Sequence, residues 1–240
     1  MVWDNTVTEL AGCYRIHTIQ IRGFGDDAGI NATGPVLEGF TNELADYIDD
    51  EITYKGRTKP VIIGHSMGGL SALMVSARHP NLVNKVIVVD SLPFIGLLYS
   101  PAATLETVKH QAIIMRDNNL ALGKQPIDKD MLEIISATPA GRAVITKWWD
   151  SADNRVTMQL YYDLMTTDIR PELSSITAPF TLIYPYDTVL GSSETITSLY
   201  TAAYNGPSGM QIKRIDNSRH FIMLDQPEKF AAAIAEFLQD

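Results

Sequence analysis

Ser66 lies in the run Gly64-His65-Ser66-Met67-Gly68, followed by another glycine at 69. The spacing is G-x-S-x-G. A serine hydroxyl at its ordinary acidity is a poor nucleophile and needs a base beside it. The apolar residues 61–63 before the motif read as a short strand, and residues 67–78 after it read as a helix. The serine therefore falls on a sharp strand-to-helix turn, where flanking side chains would clash and glycines are needed. The N–H of Met67 then sits at a helix N-terminus, aimed where an oxyanion would develop. This is the chemistry of acyl transfer through a serine.

The chain has five histidines. His17 lies in a strand-like stretch and reads as structural. His65 is next to the serine, but neighbouring side chains diverge on a tight turn, so it is a substrate-binding candidate rather than the base. His79 closes a helix, where the dipole would favour a partly positive ring. His110 lies in a helical stretch. His220 lies in DNSRHFIMLDQPEKF, between the last strand and the last helix. In a parallel sheet that loop emerges at the carboxyl edge, as Ser66 does. His220 is the expected base; its plainer reading is a surface-loop histidine.

A base histidine needs an acid to hold its tautomer. Asp187 follows the strand at 180–184, and Asp90 ends the strand at 85–89. Both reach the carboxyl edge. Asp187 is the expected partner, because it lies on a strand nearer the last one and keeps the chain order Ser, Asp, His. Asp90 would then cap the next segment of the chain.

The elements that must position these groups alternate. Residues 14–21 (YRIHTIQI) alternate and are β-branched, which predicts a strand. Apolar positions Leu37, Phe40, Leu44 and Ile48 recur at three and four, which predicts an amphipathic helix. Strands at 60–63 and 85–89 come next, with the helix 67–78 between them. Residues 92–172 then contain no convincing strand, only helical stretches near 104–118, 127–138, 140–150 and 155–166. Alternation resumes with a strand at 180–184, a helix at 193–204 and a strand at 210–215. The last helix begins after Asp225, a residue able to cap it. The reading is an α/β fold: a mostly parallel sheet with helices on both faces, and a helical cap. Residues 1–91 and 173–240 form the core, and 92–172 the cap insertion.

Composition narrows the function. With 45% hydrophobic and 20% charged residues, a chain of 240 residues can bury a full globular core. A net charge of −9 argues against nucleic-acid binding, which needs a basic face. The single cysteine, Cys13, excludes an intramolecular disulfide and a cysteine zinc site; it reads as a small buried hydrophobe. No apolar run approaches the length of a membrane span. The start MVWDNTVTEL lacks a basic, apolar leader, so the expected location is cytoplasmic.

GHSMGG at 64–69, RGFGDD at 22–27, the acid in YPYD and the run RHFIMLDQPEKF together resemble the α/β-hydrolase superfamily, with small bacterial capped esterases most alike. The resemblance runs from Trp3 to the C-terminus. It implies Ser66 as nucleophile, Asp187 as acid, His220 as base and Met67 as one oxyanion-hole donor. It implies neither metal nor organic cofactor. Phe94 and Trp148 in the cap become candidates, with His65, for contact with an apolar acyl group.

The resemblance also exposes a gap. The family carries an earlier strand ending in a His-Gly or Pro-Gly turn that supplies the second oxyanion N–H. The segment VWDNTVTELAGCYRIHTIQIRGFG matches the stretch that family members carry after that turn. The expectation is an N-terminally short core that re-pairs its strands, borrows one in a homodimer, or belongs to a longer product. Two functions are then open. One is a serine hydrolase of small carboxylic esters or lactones, working through an acyl-enzyme. The other is a catalytically impaired member that binds a small ligand.

Overall fold

The computed structural model describes residues 2–204 and 210–239. Four parallel strands make one sheet in chain order: β1 (Val61–His65), β2 (Lys85–Val89), β3 (Phe180–Tyr186) and β4 (Gln211–Asp216). The register runs through from Gly64 beside Val88 to Val88 beside Leu182 and Leu182 beside Ile212.

Successive strand side chains point to opposite faces. Val86, Val88, Leu182 and Tyr184 enter one core with α2 (Val36–Ile48), α3 (Met67–Arg78) and α8 (Ser193–Ala203). Ile87, Val89, Ile183 and Ile215 enter the other, with α9 (Ile222–Asp225) and α10 (Pro227–Gln239). Helix α1 (Asp4–Leu10) is held to this second side, with Trp3 stacked 6.3 Å from Phe230. Helices therefore cover both faces of a parallel sheet, as the alternation predicts.

Between β2 and β3 come α4 (Leu105–Leu122), α5 (Lys129–Ile135), α6 (Pro139–Ser151) and α7 (Asn154–Met165). Side chains cap several of them: Thr104 for α4, Asp128 for α5, Thr138 for α6 and Asp153 for α7. Two buried carboxylates fasten this helical stretch to the rest. Asp163 on α7 accepts the N–H groups of Val36 and Leu37 at 2.6 and 3.0 Å. It caps α2 from outside, where Pro35 at the N-cap offers no side-chain hydrogen bond. Asp225 accepts from Ser136 Oγ and from the N–H groups of Ala137, Thr138 and Arg219.

Three expectations change here. Asp225 does not cap α10; its carboxylate is turned to the α5–α6 turn and to the loop before α9. Cys13 is exposed, not buried. Residues 14–21 form no strand and are almost all exposed. Alternation suits a half-buried strand, but a strand forms only against a neighbour. Among the described residues β1 pairs with β2 alone, and residues 14–21 have no strand beside them. His17 of this stretch bonds Tyr47 through Nδ1 at 2.6 Å, consistent with a structural role.

Candidate active site

Ser66 is the N-cap of α3, with φ 53° and ψ −120°. Few non-glycine residues adopt that region, and the strain marks a position the surrounding structure dictates. The Ser66 N–H donates to the Val89 carbonyl at 2.9 Å, tying the turn to the end of β2. The motif glycines divide by role. A Cβ on Gly64 would lie 2.1 Å from the Gly68 carbonyl oxygen, and one on Gly69 would lie 2.7 Å from Ser91 Cβ. Gly68 itself faces open space. The crowded neighbours of the serine are thus 64 and 69. The N–H groups of Met67 and Gly68 begin α3, where no intrahelical acceptor exists.

His220 arrives on the loop after β4. Its Nδ1 lies 2.7 Å from Asp90 Oδ2. A carboxylate only accepts, so Nδ1 carries the proton and Nε2 is left as the basic atom. Asp90 directly follows β2 and takes φ 42°, a second strained non-glycine residue at the same sheet edge. Burial pulls the Asp90 carboxyl upward; the charge of His220 and hydrogen bonds from His220 and Tyr200 outweigh it and hold the group below its ordinary 3.8. Asp90 is therefore a buried anion aimed at the imidazole.

Asp187 does something else. It accepts the Val189 N–H at 2.9 Å and faces the Arg219 guanidinium at 3.5 Å. The residue expected as the histidine's acid is thus an anchor for the side chain next to that histidine, and Asp90 holds the ring. The reason is sheet order. Ser66 leaves β1, and β2 lies between β1 and β3. A histidine reaching back from β4 toward Ser66 passes over the end of β2, where Asp90 sits.

His65 Nε2 lies 2.8 Å from the His220 carbonyl, so it must be the donor. Its ring is 4.5 Å from that of His220. Burial, and then the nearby His220, push the His65 imidazole down to about 3, so it is neutral and can keep this bond. His65, expected as a substrate contact, pins the loop that carries His220. The Phe221 ring lies tilted 5.0 Å from that of His65, and Trp148 on α6 lies 6.0 Å from Phe221. Trp148 thus borders the site. Phe94 is fully buried, with the Arg170 guanidinium 4.7 Å from its ring centre. Sequence reasoning missed the roles of Arg219, Tyr200 and Asp225. Only Asp225 carries a local signal, as an acid in an otherwise apolar run.

Ser66 Oγ and His220 Nε2 have no hydrogen-bond partner among the described residues. No group of three or more His, Cys, Asp or Glu among them could hold a metal ion. No helix among them is long and apolar enough to cross a membrane.

A parallel sheet wrapped by helices, with a strained serine and a carboxylate-held histidine at its carboxyl edge, defines the class of α/β hydrolases. The chain belongs to the alpha/beta hydrolase family, whose pattern it matches over residues 2–233. It is 25% identical over 242 residues to the pimeloyl-[acyl-carrier protein] methyl ester esterase of Edwardsiella ictaluri, covering 98% of this chain and 87% of that protein. Human Epoxide hydrolase 4 is 30% identical over 89 residues, only 37% of this chain and 24% of that protein. Among solved structures, a thermophilic esterase from Thermogutta terrifontis superposes with a TM-score of 0.78 at 18% identity, covering 99% of this chain and 84% of that one. The enol-lactonase of Burkholderia xenovorans LB400 superposes with a TM-score of 0.69 at 21% identity, covering 100% and 86%.

Proposed function

We propose that this protein is a carboxylic ester hydrolase that cleaves small esters or lactones through Ser66, His220 and Asp90. The observation that carries the reading is the His220 Nδ1–Asp90 Oδ2 bond of 2.7 Å, which leaves Nε2 basic beside a strained serine turn. Ester-cleaving relatives support the substrate class.

Ser66 Oγ attacks the ester carbonyl as its proton passes to His220 Nε2. Asp90 stabilises the imidazolium. The Met67 N–H, at the positive end of α3, receives the developing oxyanion. The proton on Nε2 then goes to the leaving alkoxide, and the acyl group stays on Ser66. Water attacks the acyl-enzyme as His220 takes its proton, and that proton passes to Ser66 Oγ as the acid leaves, which restores the free serine and the neutral imidazole. Residues 92–172, which carry helices α4–α7, act as the cap, with Trp148 and Phe221 as an apolar wall.

Hydrolysis of a short p-nitrophenyl ester at pH 8 tests this, comparing the wild type with Ser66→Ala. Turnover that falls to background in the variant is the expected result. A folded wild type at background would overturn it and favour the ligand-binding alternative.

A further inference from the structure

The two oxygens of Asp90 have different partners. Oδ2 faces His220 Nδ1, and Oδ1 accepts the hydroxyl of Tyr200. Tyr200 is on α8, an element that supplies nothing else to the chemistry proposed above. Its ring is 6% exposed, so its hydroxyl would have no water in place of this acceptor. The ring is fixed against Tyr184 of β3 at 4.7 Å, and the Tyr184 hydroxyl meets Thr197 Oγ1 at 3.1 Å. One turn further on, Tyr204 donates to the Ser91 carbonyl at 2.7 Å, holding the residue after Asp90.

We infer that Tyr200 is a positioning residue for the histidine: its hydroxyl fixes the rotation of the Asp90 carboxylate and spreads that group's negative charge over two bonds. The inference rests on the reading of Asp90 and His220 as acid and base. A carboxylate held at Oδ2 alone can still turn about its Cβ–Cγ bond; a second bond at Oδ1 stops that rotation. Tyr200 supplies that hold from outside the sheet. Burial, and then the charge of Asp90, keep the Tyr200 hydroxyl protonated, so it remains a donor across the working pH range.

Removing the hydroxyl has a direction. In Tyr200→Phe the Asp90 charge is shared with one partner only, and it draws the imidazolium more strongly. The acid limb of kcat/KM should then move to higher pH. The titratable groups facing Asp90 are His65 from β1, His220 from the loop after β4, Tyr200 from α8 and Tyr204 just after it. His65, with its imidazole pushed down to about 3, and Tyr204, raised well above its ordinary value, do not change charge across that limb.

The test compares the wild type, Tyr200→Phe and Tyr184→Phe. The last removes a neighbouring buried hydroxyl that does not touch Asp90, and so controls for packing. We expect Tyr200→Phe to raise the midpoint of the acid limb by roughly half a pH unit to one unit, with kcat lowered about tenfold and KM within about twofold. Tyr184→Phe should overlay the wild type in profile. Proton NMR titration of the His220 Cε1–H, assigned by its loss in His220→Gln, reads the same shift without any substrate. A shift confined to Tyr200→Phe supports the inference even if no ester is turned over. Coincident titrations in the two tyrosine variants would overturn it, whatever the fate of the ester-hydrolase reading.

Discussion

Asp90 and Asp187 end adjacent strands at the same edge of the sheet, and their side chains are similarly shielded, at 10% and 17% exposed. Their work differs completely. Asp90 takes the ring of His220, while Asp187 takes the guanidinium of Arg219, one residue earlier. Burial does not separate them. Position in the sheet does: β2 touches β1, which carries the serine, and β3 does not. A loop that brings consecutive residues 219 and 220 over the strand ends can give one carboxylate to each. Which carboxylate takes the His220 ring is therefore set by lateral strand order, not by nearness in sequence.

The largest effect is expected at Asp90. An asparagine there can donate to Nδ1 and fix the wrong tautomer, putting the proton on Nε2. Asp90→Asn should lose on the order of 10³ to 10⁴ in kcat with little change in KM, measured by steady-state ester hydrolysis.

Asp225 comes next, because it ties the His220 loop to α5–α6. Asp225→Ala leaves Ser136 Oγ and the N–H groups of Ala137, Thr138 and Arg219 without their acceptor. Each abandoned buried donor costs about 1–3 kcal/mol, so we expect a loss of about 3 kcal/mol or more in urea denaturation. A loss under about 1 kcal/mol would mean that water replaces the carboxylate.

His65 gives a smaller, pH-dependent effect. The unfolded imidazole takes its proton near 6.5, while burial holds the folded one down to about 3. Between those values the unfolded chain binds more protons, so stability rises with pH. What neutral His65 contributes is complete above pH 6.5 and drains as the pH falls toward 3. Denaturation midpoints across that range should slope less steeply in His65→Gln. Parallel slopes would place the imidazole in water. The smallest effect is expected at Asp187: Asp187→Asn keeps an acceptor for the Val189 N–H, weakens one ion pair, and should lower kcat by no more than about threefold.

The same contrast explains what the sequence could tell. The α/β class, helices α4–α7 and the G-x-S-x-G turn were all legible, because period and glycine spacing are local. Residues 14–21 were not. YRIHTIQI alternates more regularly than FTLIYPY at 180–186, yet only the latter is a strand. Phe180–Tyr186 has β2 on one side and β4 on the other, and residues 14–21 have neither. The glycine needs of the serine turn were half legible: the motif names 64 and 68, while the tight contacts fall at 64 and 69. His220 could be placed at the carboxyl edge from its loop alone. Its partner could not, because Asp90 and Asp187 both reach that edge, and lateral order is a property of the folded sheet.

Setting Asp90→Asn beside Asp187→Asn decides which carboxylate serves as the acid. Both variants, shown to be folded by circular dichroism, would be assayed for kcat on one p-nitrophenyl ester at pH 8. Asp187→Asn should stay near the wild type while Asp90→Asn falls below it by about a thousandfold or more. The reverse order, or equal losses in the two, would contradict Asp90 as the acid.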